Sequence, residues 1–149
     1  MKCQRKKKLI KYCSNFFTEE EIFGAVALEV LPNAKYLEQK IQDKISSTIN
    51  KQLEKYTFEH EFVVYNFNTG ESLGLHYDFS YTTPPHISVV VYLNSQFEGG
   101  EIHFPDYELE IKPAKGDLLF YDSSIKHEVK EIKSGNRLAT GIFWNIKEQ

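Results

Sequence analysis

The residues of this chain best suited to chemistry are two histidines and one aspartate, His76, Asp78 and His127. Two imidazoles and one carboxylate form a facial ligand set that suits ferrous iron and leaves coordination positions open for a cosubstrate and oxygen. On an extended backbone, residues two apart point to the same side, so His76 and Asp78 can bind one ion together. The third ligand must then come from a different strand, folded back over the first. The spacing therefore predicts a three-residue metal site.

A planar cation, Arg137, follows His127 by ten positions. Arginine occurs elsewhere only at Arg5, whereas lysine supplies the remaining sixteen of the 18 basic residues. A guanidinium group can meet both oxygens of a carboxylate in a planar fork, which lysine cannot do. Taken alone, Arg137 is better explained as a strand-end arginine that caps a surface carboxylate. Together with the metal triad, it predicts an iron-dependent 2-oxoglutarate oxygenase.

The stretch from Tyr65 to Trp144 resembles the prolyl 4-hydroxylase-like branch of the 2-oxoglutarate/Fe(II) dioxygenases. About eighty residues carry the motifs of that family in the family's order. These motifs are Tyr65 with Asn68-Thr69-Gly70, His76-Tyr77-Asp78, Val91-Tyr92-Leu93-Asn94, Phe97-Glu98-Gly99-Gly100-Glu101-Ile102, Pro113 through Phe120, and His127 through Gly135-Asn136-Arg137.

The resemblance implies a role for each matching residue. In that family the positions of His76, Asp78 and His127 bind iron, and the position of Arg137 binds the distal carboxylate of 2-oxoglutarate. These four residues are therefore the expected catalytic set. The resemblance also implies that Tyr65 and Tyr92 contact the cosubstrate. The implied cofactors are Fe(II) and 2-oxoglutarate, with ascorbate as a further candidate.

Two positions depart from the family pattern. A threonine often lies four residues past the basic residue, where this chain has Gly141. Many members have tryptophan where Phe143 stands, and the tryptophan here is Trp144. Neither departure touches the metal ligands, but both concern the walls of the cosubstrate and substrate pockets.

The implied activity is hydroxylation of a C–H bond, coupled to the use of O2 and the conversion of 2-oxoglutarate to succinate. A prolyl residue of a peptide or protein is the first-choice substrate. A free amino acid or other small molecule is an open alternative, as is a non-catalytic metal-binding jelly roll. A nucleic-acid demethylase generally has a second arginine near the C-terminus, and no arginine follows Arg137. The net charge of -3 also offers no electrostatic case for nucleic acid.

The composition favours one globular domain, since 41% of the 149 residues are hydrophobic. No apolar run approaches the roughly 20 residues that cross a bilayer, and charged residues interrupt the first eleven positions. We therefore expect a soluble, cytoplasmic protein without a membrane partner, with Cys3 and Cys13 as reduced thiols. Residues 1–15 are expected to form a basic N-terminal segment whose run Arg5-Lys6-Lys7-Lys8 is solvated. Residues 16–149 should form a single dioxygenase domain, with helical support over 18–56 and a jelly-roll core over 58–146.

Two helices are predicted near the N-terminus. Thr18 and Glu21 fit a capping box, and the helix that begins there should end near Leu31, before Pro32. Apolar residues at every fourth position predict a second helix from about Ala34 to Tyr56. These apolar residues are Leu37, Ile41, Ile45, Ile49 and Leu53. We expect both helices to pack against one face of a sheet.

Short strands are predicted from Phe58 onward, where β-branched and aromatic residues alternate with turn residues. The predicted strands are Val63–Tyr65, Ile87–Leu93, Glu101–Phe104, Glu108–Lys112, Asp117–Tyr121, His127–Ile132 and Arg137–Trp144. Two helices followed by many strands favour an α+β fold that is mainly β, a curled sandwich or barrel backed by helices. The resemblance implies, more specifically, a double-stranded β-helix, or jelly roll, with the N-terminal helices packed against one sheet.

Three further histidines, His60, His86 and His103, are expected not to bind the metal. Among them His103 has the best rival claim, and His86 is placed in a substrate loop. The aromatic residues around the ligand pair are Tyr77, Phe79 and Tyr81. They fit ordinary core packing, and they could also line a substrate groove.

Overall fold

The first helical turn begins where the sequence predicts it. The computed structural model describes residues 7–22, 34–55, 63–78 and 85–147, and residues 19–22 are helical. The backbone N–H of Thr18 donates to Glu21 Oε1 at 2.8 Å, and the N–H of Glu21 donates to Thr18 Oγ1 at 3.2 Å. This reciprocal pair is the predicted capping box. The predicted helix end at Leu31 lies outside the described residues, as do Cys3, Arg5, His60, Phe79 and Tyr81.

The second predicted helix is α1, which spans Ala34–Ile49. Its apolar stripe, Leu37, Ile41 and Ile45, is buried against strands of the larger sheet. The helix ends at Asn50, whose φ of 55° is left-handed, so the prediction that it continues to Tyr56 is wrong. Leu53–Lys55 instead forms a strand, β2. None of the described helical residues forms a segment long and apolar enough to cross a membrane.

The larger sheet is antiparallel and has six strands. Its strands are β1 Ile10–Cys13, β2 Leu53–Lys55, β3 Val63–Phe67, β5 Ile87–Tyr92, β9 Leu118–Asp122 and β12 Arg137–Ile146. They are hydrogen-bonded in the order β1-β9-β5-β12-β2, and β3 also pairs with the long strand β12.

The smaller sheet has four antiparallel strands in the order β4-β10-β7-β8, and a separate ribbon pairs β11 with β6. The bounds are β4 Leu73–His76, β6 Phe97–Gly99, β7 Ile102–Phe104, β8 Leu109–Ile111, β10 His127–Val129 and β11 Ile132–Gly135. Pro105–Tyr107 forms a short 3-10 turn between β7 and β8. The strand predicted over His127–Ile132 is therefore two strands, which pair in different sheets.

Strand β1 was not predicted, because the sequence analysis placed it in a basic segment ahead of the domain. Residues Ile10 to Cys13 pair with Tyr121 to Leu118 of β9 at the edge of the larger sheet. The buried carboxylate of Asp117 also accepts hydrogen bonds from the Tyr12 hydroxyl and the Asn15 N–H. Residues 10–13 thus belong to the sheet, whereas the described residues of the run predicted to be solvated, Lys7 and Lys8, are exposed.

The two faces of the larger sheet bury different sets of residues. Alternate side chains point toward α1 and form one apolar cluster that includes Val89, Phe120 and Ile142. The opposite face packs on the smaller sheet through a second cluster of residues from both sheets. These residues are Tyr92, Ile102, Phe104, Ile111, Leu119, Tyr121, Ile125 and Ala139. The fold is mainly β, and the space between the sheets holds the predicted chemical residues.

Candidate metal centre

Strand pairing brings the two predicted histidine ligands face to face. His127 on β10 is the register partner of His76 on β4, and their ring centroids are 4.3 Å apart. Asp78 lies two residues beyond His76, just after β4 ends. One ligand atom from each of the three residues lies within 4.8 Å of the others. Among the described residues, this is the only such cluster of metal-ligating side chains.

Backbone carbonyls orient both imidazole rings. The Nδ1 atom of His76 lies 2.7 Å from the Gly74 oxygen, and Nδ1 of His127 lies 3.0 Å from the Ile125 oxygen. A carbonyl can only accept, so Nδ1 carries the proton in both rings. In the protonated ring Nε2–H can donate to Asp78, and in the neutral ring Nε2 carries the lone pair that a metal ion needs. A backbone carbonyl that accepts from Nδ1–H fixes the tautomer of a metal-binding histidine and raises the basicity of its other nitrogen.

The two carboxylate oxygens of Asp78 have different surroundings. Its Oδ1 atom is 3.3 Å from His76 Nε2 and 3.1 Å from His127 Nε2. Its Oδ2 atom accepts a hydrogen bond from the Tyr121 hydroxyl at 2.5 Å. Burial raises the pKa of Asp78, but the hydrogen bonds with His127, His76 and Tyr121 outweigh burial and hold this pKa well below the usual range. The carboxylate is therefore charged at neutral pH, as a metal ligand must be.

The pKa values of His76 and Tyr121 move in the opposite direction. The hydrogen bond to Asp78 raises the pKa of His76 above its ordinary value, against the effect of partial burial. Burial, together with the Asp78 charge, raises the pKa of Tyr121 far above its ordinary value. The Tyr121 hydroxyl therefore stays protonated and can act as a donor to the carboxylate.

A buried cation lies away from the triad, on the same interior face. Arg137 is 3% exposed, and its Nε–H donates to the Gly100 oxygen at 3.2 Å. Its guanidinium carbon is 5.1 Å from the centroid of the Tyr92 ring and 5.5 Å from that of Phe67. No carboxylate in the described part of the chain forms an ion pair with it. A buried charge without a counter-ion is costly, so this position suits an anionic ligand.

Tyr92 adds a second unpaired polar group at this place. The residue is fully buried, and its hydroxyl has no hydrogen-bond partner among the described residues. Burial raises the pKa of Tyr92, while the Arg137 charge opposes that increase. A buried hydroxyl without a partner is rare in a fold that is complete in itself. We call Arg137 and Tyr92 the anion pocket, because together they offer a cation and a free O–H donor.

Tyr65 is less clearly part of this pocket than the resemblance implied. On β3 it is the register partner of Ala139, two residues from Arg137, and its side chain is 45% exposed. Its Cε2 atom would lie 3.4 Å from a Cβ atom at Gly141. The glycine that replaces the family's threonine therefore leaves room beside the Tyr65 ring.

The metal centre and the anion pocket lie at different levels of the larger sheet. Tyr121 is the register partner of Ser88 on β5, and Tyr92 lies four residues further along the same strand. Four extended residues span roughly 13 Å. The interior therefore offers a metal-binding end and a carboxylate-binding end on one face.

Two residues at the metal centre were missed by the sequence analysis. Tyr121 contacts Asp78 directly, and its hydroxyl is also 3.1 Å from His127 Nε2. The Phe104 ring packs on both Tyr121 and His127, with centroids 5.2 and 5.7 Å away. The alternation of Leu118 to Tyr121 places the Tyr121 hydroxyl on one face of a buried strand, but it does not show which residue the hydroxyl contacts.

The remaining described histidines have other partners. His103 Nδ1 lies 2.9 Å from Glu128 Oε1, and the two residues are register partners on β7 and β10. His86 Nδ1 accepts a hydrogen bond from the N–H of Ile146 at 2.8 Å. Neither belongs to the metal-ligating cluster.

A groove of about 1010 Å³ is lined in part by residues next to the ligands in sequence, although His76, Asp78 and His127 themselves do not line it. Tyr77, which lies between two of the ligands in sequence, forms part of its wall. Ile125 and Lys126, directly before His127, form another part, and Lys8 and Tyr107 lie further along. Tyr77 is therefore at a groove wall rather than in the apolar core.

Comparison with known proteins identifies the family. The family model of the 2OG-Fe(II) oxygenase superfamily matches residues 60–145, which is more than half of the chain. The chain belongs to that superfamily. A PKHD-type hydroxylase of Stenotrophomonas maltophilia is 33% identical over 93 residues, covering 60% of this chain and 36% of the relative. The chain thus spans about a third of the length of this curated relative.

Solved structures share the fold at low sequence identity. The viral collagen prolyl hydroxylase of Paramecium bursaria Chlorella virus 1 superposes with a TM-score of 0.75 at 16% identity, covering 99% of this chain and 98% of that one. A prolyl hydroxylase of Trichoplax adhaerens, solved with a hypoxia inducible factor peptide fragment, gives a TM-score of 0.71 at 17% identity, covering 92% and 83%.

Membership of this superfamily implies Fe(II) and 2-oxoglutarate as cofactor and cosubstrate, and the residues present fit both. Two imidazole nitrogens and one carboxylate oxygen are a donor set for ferrous iron. Among the described residues, the Arg137 guanidinium has no carboxylate partner and the Tyr92 hydroxyl has no hydrogen-bond partner, so both can donate to a carboxylate.

Proposed function

We propose that this chain is an Fe(II)- and 2-oxoglutarate-dependent dioxygenase that hydroxylates a C–H bond. The observation that carries the proposal is the pairing of a convergent His-Asp-His triad with a buried arginine that has no carboxylate partner among the described residues. A structural or storage metal site needs the first feature and has no use for the second. We also propose that the two sheets form the double-stranded β-helix that the resemblance implies.

In this proposal each triad residue contributes one ligand atom. His76 and His127 bind through Nε2, because their Nδ1 atoms are engaged by backbone carbonyls. Asp78 binds through Oδ1, the oxygen close to both of those nitrogens. Three ligand atoms from the protein would leave the remaining coordination positions of the metal open.

The anion pocket would hold the distal carboxylate of 2-oxoglutarate. Arg137 offers two parallel N–H donors in a planar fork, because its Nε–H is held by the Gly100 carbonyl and the rings of Phe67 and Tyr92 flank it. The Tyr92 hydroxyl supplies a further hydrogen bond. These contacts would orient the cosubstrate. When bound, iron and 2-oxoglutarate supply the oxidising chemistry, which consumes O2 and 2-oxoglutarate and releases succinate and carbon dioxide.

For the substrate we propose a prolyl residue of a peptide or protein. The support is the groove beside Tyr77, together with the names of similar proteins, several of which are prolyl hydroxylases. A free amino acid or another small molecule is the alternative, and ascorbate as a further cofactor stays a prediction.

The test is the release of succinate from 2-oxoglutarate by the ferrous protein, measured with and without candidate substrates. We expect slow release without substrate, and its loss in the variants His76→Ala, Asp78→Ala and His127→Ala, since no further metal-ligating side chain among the described residues joins this cluster. Circular dichroism should show that each variant stays folded. If any of the three keeps parental turnover at limiting iron, the assignment of the triad is wrong.

The substrate class is tested by a matched pair of peptides. A proline-containing peptide should stimulate succinate release and gain the mass of one oxygen atom, whereas the same peptide with alanine at that position should do neither. Free proline and other free amino acids form a separate arm. Stimulation in that arm alone would exclude the peptide substrate and support the small-molecule alternative.

A further inference from the structure

We propose that Tyr121 is a positioning residue that holds Asp78 in a one-oxygen, monodentate orientation toward the metal. The inference rests on the metal centre proposed above and concerns how its carboxylate ligand is controlled. It assigns a role to a residue that neither the ligand motif nor the anion pocket includes.

The two oxygens of Asp78 are already differentiated in the protein. Oδ1 is the atom that lies between the two imidazole nitrogens, at 3.3 and 3.1 Å. Oδ2 is engaged by the Tyr121 hydroxyl at 2.5 Å. One oxygen therefore faces the place where the three ligand atoms converge, and the other is occupied by a hydrogen-bond donor.

A carboxylate with one oxygen engaged in this way resists rotation. If Oδ2 were free, Asp78 could turn to chelate the ion with both oxygens and occupy a position that the reaction needs open. It could equally turn away and lose its orientation toward His76. Outer-shell partners of metal ligands commonly have this orienting role.

Tyr121 is itself held firmly enough to orient another side chain. It lies on β9 between two hydrogen-bonded strands, with Ile10 and Ser88 as its register partners. Its ring makes edge contacts with Phe104 and His127, at centroid distances of 5.2 and 4.9 Å. The residue is 2% exposed, so little free space surrounds the hydroxyl.

The chain offers a matched control in Tyr12. Its hydroxyl also donates to a carboxylate, that of Asp117, and Tyr12 lies on β1 in the same larger sheet. Asp117 is not part of the metal-ligating cluster. Tyr12→Phe and Tyr121→Phe therefore remove the same chemical group from two carboxylates, of which only one is a proposed ligand.

The experiment measures the affinity of the whole chain for Co(II) and, without oxygen, for Fe(II). We expect Tyr121→Phe to weaken binding of both ions roughly ten- to a hundredfold, and Tyr12→Phe to leave both affinities unchanged. The visible spectrum of bound Co(II), which reports coordination number and geometry, should change in Tyr121→Phe and stay parental in Tyr12→Phe. A purely structural role of Tyr121 would lower stability and leave that spectrum unaltered.

A second variant covers the case in which Tyr121→Phe fails to fold. Tyr121→Met fills much of the same volume without a hydroxyl, so it should show the same loss of affinity and the same spectral change. If folded Tyr121→Phe or Tyr121→Met binds Co(II) with parental affinity and spectrum, Tyr121 does not position Asp78. If the parent itself binds neither ion, the metal centre fails first, and the inference fails with it.

Discussion

At the scale of single residues, the anion pocket combines two features that a stable fold normally avoids. Within the described chain, Arg137 is a buried cation without a carboxylate partner, and Tyr92 carries a buried hydroxyl without a hydrogen-bond partner. Each costs stability in the ligand-free protein. A carboxylate ligand would satisfy both at once. Mutations here should therefore affect stability and ligand binding in opposite directions.

The first such mutation is Arg137→Leu. Losing the partner of a buried carboxylate costs about 3–5 kcal/mol, so binding of 2-oxoglutarate should weaken by more than roughly a hundredfold. Fe(II) should still bind at the triad, and the ligand-free variant should unfold at an equal or higher denaturant concentration. Arg137→Lys should retain partial binding, because it keeps the charge and loses the fork. Separate titrations with metal and with 2-oxoglutarate measure the two affinities. If the leucine variant binds 2-oxoglutarate as tightly as the parent, Arg137 does not bind the cosubstrate.

Tyr92→Phe is a subtler change at the same pocket. It deletes one hydroxyl and keeps the ring that packs against the guanidinium. A hydrogen bond to a charged group is worth about 1.5–3 kcal/mol, so the dissociation constant for 2-oxoglutarate should rise roughly ten- to a hundredfold. The ligand-free variant should be as stable as the parent or more stable, since an unsatisfied group is removed. Calorimetry and urea unfolding measure the two effects.

Tyr65→Phe tests how far the pocket extends. The resemblance alone predicts an equal loss in both tyrosine variants, but Tyr65 is 45% exposed whereas Tyr92 is fully buried. A more solvated hydrogen bond contributes less, so the loss of affinity in Tyr65→Phe should be smaller. If neither variant changes the dissociation constant, both tyrosines lie outside the site.

The metal ligands and Arg137 could be identified from the sequence because histidine and arginine are rare in this chain and because few spacings allow the ligands to share one ion. Arginine occurs twice in the chain, and the His-x-Asp pair needs only the two-residue period of an extended backbone. Tyr121 could not be selected in the same way, since the chain has nine tyrosines. Its role depends on a contact across 43 residues of chain. Only the register of β9 against its neighbours distinguishes it.

At the scale of elements, the sequence predicted most strands, and two of its errors have identifiable physical reasons. The four-residue apolar period continues through Leu53, which favoured a longer helix, but Asn50 adopts a left-handed conformation and ends α1. Strand β1 lies in a lysine-rich stretch, and the strand with which it pairs, β9, is more than 100 residues away in sequence. The local spacing of apolar residues predicts neither the end of a helix at an asparagine nor the pairing of two strands that are far apart in sequence.

A salt bridge connects the first helical turn to α1, and it should make stability depend on pH. Burial raises the pKa of Glu21, but the Thr18 N–H, the Lys40 ammonium and the Tyr36 hydroxyl outweigh burial and lower it to about 2. A lowered carboxylate pKa stabilises the fold above the unfolded value of 4.5, and this contribution is lost as the pH falls toward 2.

Glu21→Gln should accordingly lower the free energy of unfolding by about 1 kcal/mol at pH 7, the size typical of a partly exposed pair. The difference from the parent should shrink as the pH falls from 4.5 toward 2. The matched control is Glu19→Gln, because Glu19 also pairs with a lysine, Lys115, but is far more exposed. Its effect at pH 7 should be close to zero. Urea unfolding at several pH values tests both, and a pH-independent difference for Glu21→Gln would contradict the assignment.

At the scale of the whole molecule, the larger sheet separates two cores with different tasks. One face packs against α1, where Ile41 and Ile45 are fully buried, and the other face carries the residues of the metal centre and anion pocket. Alternation along each strand assigns neighbouring residues to opposite sides, so Thr140 faces the helical side while Ala139 faces the interior. The helical side can therefore change without altering the ligand atoms directly.

This separation predicts that global stability and metal binding are independent. Ile41→Ala should lower the free energy of unfolding by about 2–5 kcal/mol, through lost burial and a cavity beneath α1. Metal at a hundred times its dissociation constant should stabilise the parent by about 2.7 kcal/mol, and Ile41→Ala by the same amount, because distant sites without shared partners are additive. Asp78→Ala should gain nothing from metal. Unfolding curves with and without Co(II) measure all three, and a metal increment in Ile41→Ala that differs from the parental one by more than about 0.5 kcal/mol would show that the two cores are coupled through the sheet.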